Sequence, residues 1–281
     1  METSLMENVA RMSKDIRAAA ATLSDKEARF LVDSYYNAQE DRIRASGRIR
    51  AMTESEEPHS VISWMEGQSS VIENQIKGAL DRYSSAHSIG RWMKEIKGIG
   101  PVISAGYLAN VDITKSNTAG KLWAICGVAP GRDRRVKGER LAYNPALKRL
   151  TWLVGQSFKR LSAGDEDAYY RHVYDRRKAY ELGKNEAGDY AETAARILTE
   201  KKFGSDTKAK EFYSKGMLPP GHVDARAARY AAKMFLSDLQ RAWWWHETGT
   251  EPPAPYPISI MGHADFIDAP HVRSFILAVD R

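Results

Sequence analysis

The residues best suited to do chemistry in this chain form a dense basic group. Residues 131–160 contain nine Lys or Arg and two acidic residues, a local net charge of +7, whereas the whole 281-residue chain carries +6. The positive charge is therefore concentrated in one short segment. A field of this kind favours a polyanion, such as a nucleic-acid backbone, as the ligand. The alternative is a solvated surface that binds nothing.

These cations fall on a loop and on the helix that follows it. Cations on a loop suit a phosphate backbone better than the reading of bases. On the helix, a rotation of about 100° per residue places the apolar side chains on one stripe and the basic ones on the opposite face. The residues predicted to bind nucleic acid are Arg132, Arg134, Arg135, Lys137 and Arg140 in the loop, and Lys148, Arg149, Trp152, Lys159 and Arg160 on the helix.

Trp152 is the one aromatic residue on this basic face. Its indole can stack on an unpaired base, as aromatic side chains do in proteins that bind single strands. It can equally cover the edge of the hydrophobic core. We expect the second role.

Residues 96–101 precede the basic segment and read Ile-Lys-Gly-Ile-Gly-Pro. Two glycines permit a tight turn, and Pro101 suits the first position of a new helix. In a helix-hairpin-helix, such a turn directs backbone N–H groups at a phosphate oxygen. Lys97, Gly98, Ile99 and Gly100 are therefore further predicted binding residues, and a side chain at Gly100 is expected to strain the turn.

This turn has two other interpretations. It can be an ordinary turn between helices, without a ligand. A dinucleotide-binding loop would need a third glycine where Ile103 stands, and a strand before the turn, so that interpretation fails.

The elements that position these residues read as helices almost throughout, without a period-two strand pattern. The predicted fold class is all-α, with a helix-hairpin-helix middle domain flanked by an N-terminal helical hairpin and a C-terminal region of long helices. One of these long helices is expected over residues 165–202. The predicted domains are 1–86 (helical hairpin), 87–162 (helix-hairpin-helix), 163–248 (C-terminal helices) and 249–281 (an extended proline-rich tail).

A second group of polar residues lies near the start of the last long helix. His222 and Arg226 are one helical turn apart, with Arg229 and Tyr230 on an adjoining face. The group can bind phosphate, or it can be a structural polar network at the start of the helix. We favour the network.

Residues 96–161 resemble the C-terminal helix-hairpin-helix domain of the bridge-RNA-guided, DEDD-type insertion-sequence transposases. The resemblance lies in an ordered set: the Gly98–Pro101 turn, the run Gly-Lys-Leu-Trp-Ala-Ile-Cys-Gly-Val-Ala-Pro at 120–130, a basic linker, and Asn144 with Leu147 to Leu150. It implies binding of DNA or structured RNA. The family's catalytic serine lies in the linker, but residues 131–142 contain neither Ser nor Thr, and no strand-borne acids of a DEDD domain precede the turn. The resemblance therefore transfers no catalytic residue.

The remaining composition narrows the function classes. The single Cys126 cannot form an intramolecular disulfide, and the seven histidines lack metal-ligand spacing, so we expect no metal and no cofactor. No signal peptide or membrane span is recognised, which predicts a cytoplasmic protein without a membrane partner. The expected function is non-catalytic binding of nucleic acid through its backbone and structure, with DNA favoured over structured RNA as the ligand. The alternatives are a diverged transposase, recombinase or nuclease acting with a partner, and a helical adaptor that forms a homo-oligomer.

Overall fold

The computed structural model describes residues 10–52, 60–130, 137–204, 207–253 and 269–279. Within these ranges the chain forms helices and no strand, which confirms the predicted all-α class. Tertiary contacts divide the chain into two compact units, Met1–Glu95 with Ile99–Asp112, and Ile96–Gly98 with Ile113–Arg281. The division falls within the segment 87–162 that the sequence assigns to one domain, and the four predicted domains stay a prediction.

The first unit is built around two long helices. Its helices are α1 (Lys14–Ala19), α2 (Asp25–Met52), α3 (Ser60–Ala86), α4 (Ser88–Glu95) and α5 (Pro101–Asn110), with a 3₁₀ helix at Ala20–Thr22. At the start of α2 the Ser24 N–H donates to the Glu27 carboxylate at 2.8 Å, and the Glu27 N–H donates to Ser24 Oγ at 3.4 Å. This reciprocal cap pairs backbone donors that the helix itself cannot satisfy.

Helices α2 and α3 pack along each other in opposite directions. Three side-chain hydrogen bonds show this antiparallel arrangement: Tyr83 to Asp25 at 3.0 Å, Gln39 to Glu73 at 3.0 Å, and Ser46 to Glu66 at 3.1 Å. Helix α5 packs on both α2 and α3. The apolar stripes of the three helices therefore share one core.

The second unit is built around α11. Its helices are α6 (Ala119–Ile125), α7 (Pro145–Arg160), α8 (Tyr169–Glu186), α9 (Ala191–Glu200), α10 (Lys208–Ser214), α11 (Pro220–Thr248) and α12 (Pro270–Val279), with a 3₁₀ helix at Ile113–Lys115. Helix α11 contacts α6, α7, α8 and α12. The single helix expected over residues 165–202 is wrong, because α8 ends at Glu186 and α9 begins at Ala191, with Gly188 between them at a φ of +84°.

Aromatic rings and small residues fix α7 against its neighbours. The Phe158 ring stacks on Tyr170 of α8 with centroids 4.6 Å apart, and both rings contact Phe235 of α11 edge-on. A Cβ placed on Gly155 would lie 2.8 Å from the Ala228 carbonyl oxygen. The backbones of α7 and α11 therefore approach each other so closely at this point that a side chain on residue 155 has no room.

Candidate nucleic-acid interface

Helix α7 presents the basic face that the sequence predicts. Asn144 caps the helix, with its side-chain oxygen accepting the Ala146 N–H at 2.9 Å, and Pro145 occupies the first helical position. Of the side chains predicted for the apolar stripe, Leu161 is partly buried and the other four are buried: Leu147, Leu150, Val154 and Phe158. Burial of this stripe turns the opposite face of α7 towards solvent.

The predicted cations of this region have different environments. Arg149 and Arg160 on α7 are exposed, and so are Lys137 and Arg140 in the preceding loop. The predicted residues Arg132, Arg134 and Arg135 lie outside the described residues. Exposed guanidinium and ammonium groups are accessible to a polyanion that approaches from solution.

Lys159, by contrast, is already paired. Its ammonium lies 2.5 Å from the Asp224 carboxylate on α11, which also accepts hydrogen bonds from Tyr174 and Lys178. Burial alone would raise the pKa of Asp224, but the hydrogen bonds from Lys159 and Tyr174 outweigh it and lower the pKa. Lys159 therefore links α7 to α11 through an ion pair, and the Asp224 carboxylate largely neutralises the charge that a phosphate would need.

Lys97 is also paired with acidic side chains. Its ammonium lies 2.6 Å from Asp165 and 3.2 Å from Asp167. Hydrogen bonds to these two carboxylates raise the pKa of Lys97. A phosphate would have to displace both carboxylates to bind at this lysine.

Of the two glycine positions in the predicted hairpin, only one requires a glycine. Gly98 has a φ of +96°, its carbonyl accepts the Ser157 hydroxyl at 2.6 Å, and a Cβ on it would lie 2.9 Å from Phe158 Cδ1. Gly100 has a φ of −94° as the N-cap of α5, and a Cβ on it would have no neighbour within 4 Å. The prediction that a side chain at Gly100 would strain the turn is therefore wrong. A side chain at Gly98 would be strained instead. Ile99 is buried as a core residue.

A groove of about 680 Å³ runs between α7 and α11. Its α7 wall is formed by Lys148, Thr151, Trp152, Gly155 and Gln156, its α11 wall by Ala225, Arg226, Ala228, Arg229, Ala232 and Lys233, and one end by residues 127–130. Four of these lining residues are cations, one of which, Arg226, is paired with Glu181, and no acid is among the described residues that line the groove. The groove is therefore a positively charged concave surface.

Two lysines of the groove lie on aromatic rings. Lys148 Nζ is 4.2 Å from the centre of the Tyr143 ring, and Lys233 Nζ is 4.0 Å from that of Trp123. The Trp123 indole N–H in turn donates to the Lys233 carbonyl at 3.1 Å, which fixes this ring on α11. An aromatic face attracts an ammonium group and helps to hold it in place.

Lys233 is the most unfavourably placed cation of the groove. Burial lowers the pKa of its ammonium, and the nearby Arg229 and Arg177 lower it further. Within the described part of the chain no carboxylate pairs with it. A half-buried charge among like charges costs folding free energy, and such a cost is typical of a site that binds the opposite charge.

Arg226 lines the groove but is paired with the buried carboxylate of Glu181. Its Nε donates to Glu181 at 2.6 Å, and Arg177 and the Tyr190 hydroxyl bond the same carboxylate, whose side chain is 1% exposed. Burial would raise the pKa of Glu181, but the hydrogen bonds from Arg226, Tyr190 and Arg177 outweigh it and lower the pKa.

His222 belongs to the same end of α11. Its Nδ1 lies 3.1 Å from the Tyr213 hydroxyl, and its pKa is lowered by burial and by Arg226. Together with the Arg226–Glu181 pair, this contact confirms that His222 and Arg226 start α11 in a structural polar network.

Trp152 does not cover the edge of the core, and the role expected for it is wrong. Its side chain is 61% exposed and lines the groove. Lys233 is a groove residue that the sequence did not single out, and Arg229 was named only within the His222 group, for which a structural network was favoured over phosphate binding. Their spacing of four residues, beside alanines at 225, 228 and 232, indicated one charged face next to one small face, but only the packing on α7 shows which face meets the groove.

In comparisons with known proteins, no family model, no curated protein and no solved structure matches this chain. Among the described helices, none is long and apolar enough to cross a membrane. The described side chains also contain no group of three His, Cys, Asp or Glu residues that could hold a metal ion.

Proposed function

We propose that this protein binds nucleic acid through its phosphate backbone, using the groove between α7 and α11 together with the exposed cations of α7. The observation that carries the proposal is the environment of Lys233, which faces the groove beside Arg229 with no carboxylate among the described residues to balance it. A bound phosphate would place negative charge where the folded chain lacks it, and charge-assisted hydrogen bonds to phosphate are among the strong ones.

Two further observations support the proposal. Arg149 and Arg160 extend the positive surface along α7 beyond the groove, as a ligand with repeated phosphates requires. The resemblance of residues 96–161 to a transposase C-terminal domain also favours DNA or structured RNA as the ligand. Because the linker of this chain lacks the family's serine, we propose binding without catalysis.

The test compares two lysine variants that remove the same charge. Lys233→Met should weaken binding of a labelled oligonucleotide by on the order of tenfold, because a charged hydrogen bond to phosphate is lost. It should also reduce the slope of log affinity against log salt concentration by about 1. Lys159→Met should change affinity little, because Asp224 already neutralises that lysine.

The free energy of unfolding of each variant distinguishes a lysine that binds a ligand from a lysine that stabilises the fold. Lys233→Met removes a repelled, half-buried charge and leaves an apolar stem on Trp123, so its free energy of unfolding should not fall. Lys159→Met breaks an ion pair and should be less stable than wild type. Binding that is undetectable at low salt, for both duplex and single-stranded oligonucleotides, refutes the proposal, as does equal weakening by the two variants.

A second candidate function is self-association through the N-terminal helices. The observation in its favour is a row of large apolar side chains that α3 leaves exposed, Val61, Trp64, Met65 and Ile72. Contiguous exposed apolar surface is typical of a protein interface. Light scattering at micromolar concentration tests it, and a strict monomer that is unchanged by Trp64→Ser and Met65→Ser excludes this function.

A further inference from the structure

We infer that the groove between α7 and α11 receives an unpaired nucleotide, whose base stacks on Trp152 while its phosphate contacts Lys233 and Arg229. The inference rests on the nucleic-acid binding proposed above and specifies its ligand as a single strand, of DNA or of RNA. It is carried by the position of Trp152, by the small residues of the groove floor and by the placement of the cations.

The exposure of Trp152 is not explained by packing against the described residues of the chain. The indole is 61% exposed although it is the largest apolar side chain on α7. Lys148 and Gln156, one helical turn before and after it, line the same groove. An aromatic face beside an amide offers a base a stacking surface and a hydrogen-bonding group for its edge.

The floor beside the indole is made of small residues. Gly155, Ala228 and Ala232 are buried and Ala225 is exposed at the rim, and these small residues leave open the space that larger side chains would fill. The close approach at Gly155, where a Cβ would lie 2.8 Å from the Ala228 carbonyl, places this floor deep between the helices. The resulting volume of about 680 Å³ lies within the range of pockets that bind small organic ligands, which includes the size of a nucleotide.

The shape of the groove favours a single strand over a duplex. In a duplex the bases stack on one another, and a base reaches a protein pocket only after it has been unpaired and turned out of the helix. A single strand offers its bases without that cost, so stacking on Trp152 adds to phosphate binding only for unpaired nucleotides. Duplex DNA would meet the exposed cations of α7 but not the groove.

The experiment measures affinities of the full-length protein for four probes: oligothymidylate, oligouridylate, a hairpin duplex with the same number of phosphates, and heparin. The variants are Trp152→Ala, Trp152→Leu, which keeps apolar bulk without an aromatic face, and Trp152→Phe, which keeps a face. We expect the Ala and Leu variants to lose roughly 5- to 150-fold in affinity for the single strands. The Phe variant should stay within a few-fold of wild type, and no variant should change binding of the duplex.

Tryptophan fluorescence supplies a second readout that does not depend on affinity. Quenching by oligothymidylate should be largely absent in Trp152→Phe, although the other tryptophans remain. Single-strand affinity that is unchanged in Trp152→Ala, or a loss equal for single strand and duplex, overturns the inference and leaves the proposed function standing. Heparin binding as tight as that of the single strands, and equally reduced by Trp152→Ala, also overturns it. Absence of binding to every nucleic-acid probe at low salt overturns both.

Discussion

Replacement of Gly98 by alanine should destabilise the protein substantially, because two independent costs meet at this residue. A side chain at its φ of +96° enters a backbone region that costs non-glycine residues about 1–2 kcal/mol. The new Cβ would lie 2.9 Å from Phe158 Cδ1 and 3.3 Å from Ser157 Oγ. Phe158 cannot move away, because it is fully buried and stacked on Tyr170. Overpacking of this kind adds about 1–3 kcal/mol.

The reduced entropy of the unfolded chain offsets about 0.4–1 kcal/mol of these costs, which leaves a net loss of about 2–4 kcal/mol. Thermal unfolding followed by far-ultraviolet circular dichroism should show a midpoint lowered by roughly 5–15 °C. The matched control is Gly100→Ala, which has a φ of −94° and no atom within 4 Å of the new Cβ. It should stay within about 0.5 kcal/mol of wild type. Equal stability of the two variants would refute both the left-handed conformation of Gly98 and its close approach to the Phe158 ring.

Two further predictions concern buried titratable groups of the second unit. Glu181→Gln should cost about 3 kcal/mol at neutral pH, because it leaves Arg226 and Arg177 without their carboxylate. The folded-state pKa of Glu181 is below its ordinary 4.5, so its contribution to stability is present above 4.5 and is lost as the pH falls through the folded pKa. Urea titrations should therefore show the gap to wild type closing in acid, and a gap independent of pH contradicts this. Burial lowers the pKa of His271, which contacts the Tyr170 hydroxyl at 2.8 Å, from 6.5 to about 4. The wild-type protein should therefore keep the full stabilising contribution of His271 above pH 6.5 and lose up to about 3 kcal/mol of its free energy of unfolding as the pH falls towards 4. The variant His271→Gln should lack this loss, and parallel pH profiles of the two proteins would rule out this role of His271.

Local patterns in the sequence were sufficient for most of the helices. The Ser24–Glu27 cap, the Asn144–Pro145 start of α7 and the left-handed Gly127 that ends α6 are each a helix-end signature that can be read from the sequence, and each is formed in the structure. These features involve residues within one turn of each other, so their energies do not depend on the rest of the fold. The buried stripe of α7 was predictable for the same reason, because its spacing alone places it on one face.

The break at Gly188 shows where local patterns were insufficient. The polar residues of 165–202 suit a continuous helix, and a glycine within a helix is tolerated at a cost of about 1 kcal/mol. The chain instead buries Tyr190, Ala194 and Ile197 in a small core with Tyr213 and Leu218. The gain from that distant packing outweighs the helical continuation.

For the candidate interface, the sequence by itself determined that the segment is basic, that α7 has one apolar and one charged face, and that Trp152 lies among the cations. Only the tertiary structure decided which cations are neutralised within the fold. Lys97 and Lys159 are paired with acids that lie 65 or more residues away in the chain, whereas Lys233, outside the basic segment, faces the groove with no such acid among the described residues. The reason is physical: the charge of a side chain is fixed by its type, but its neutralisation depends on which distant residues the fold places within a few ångströms of it.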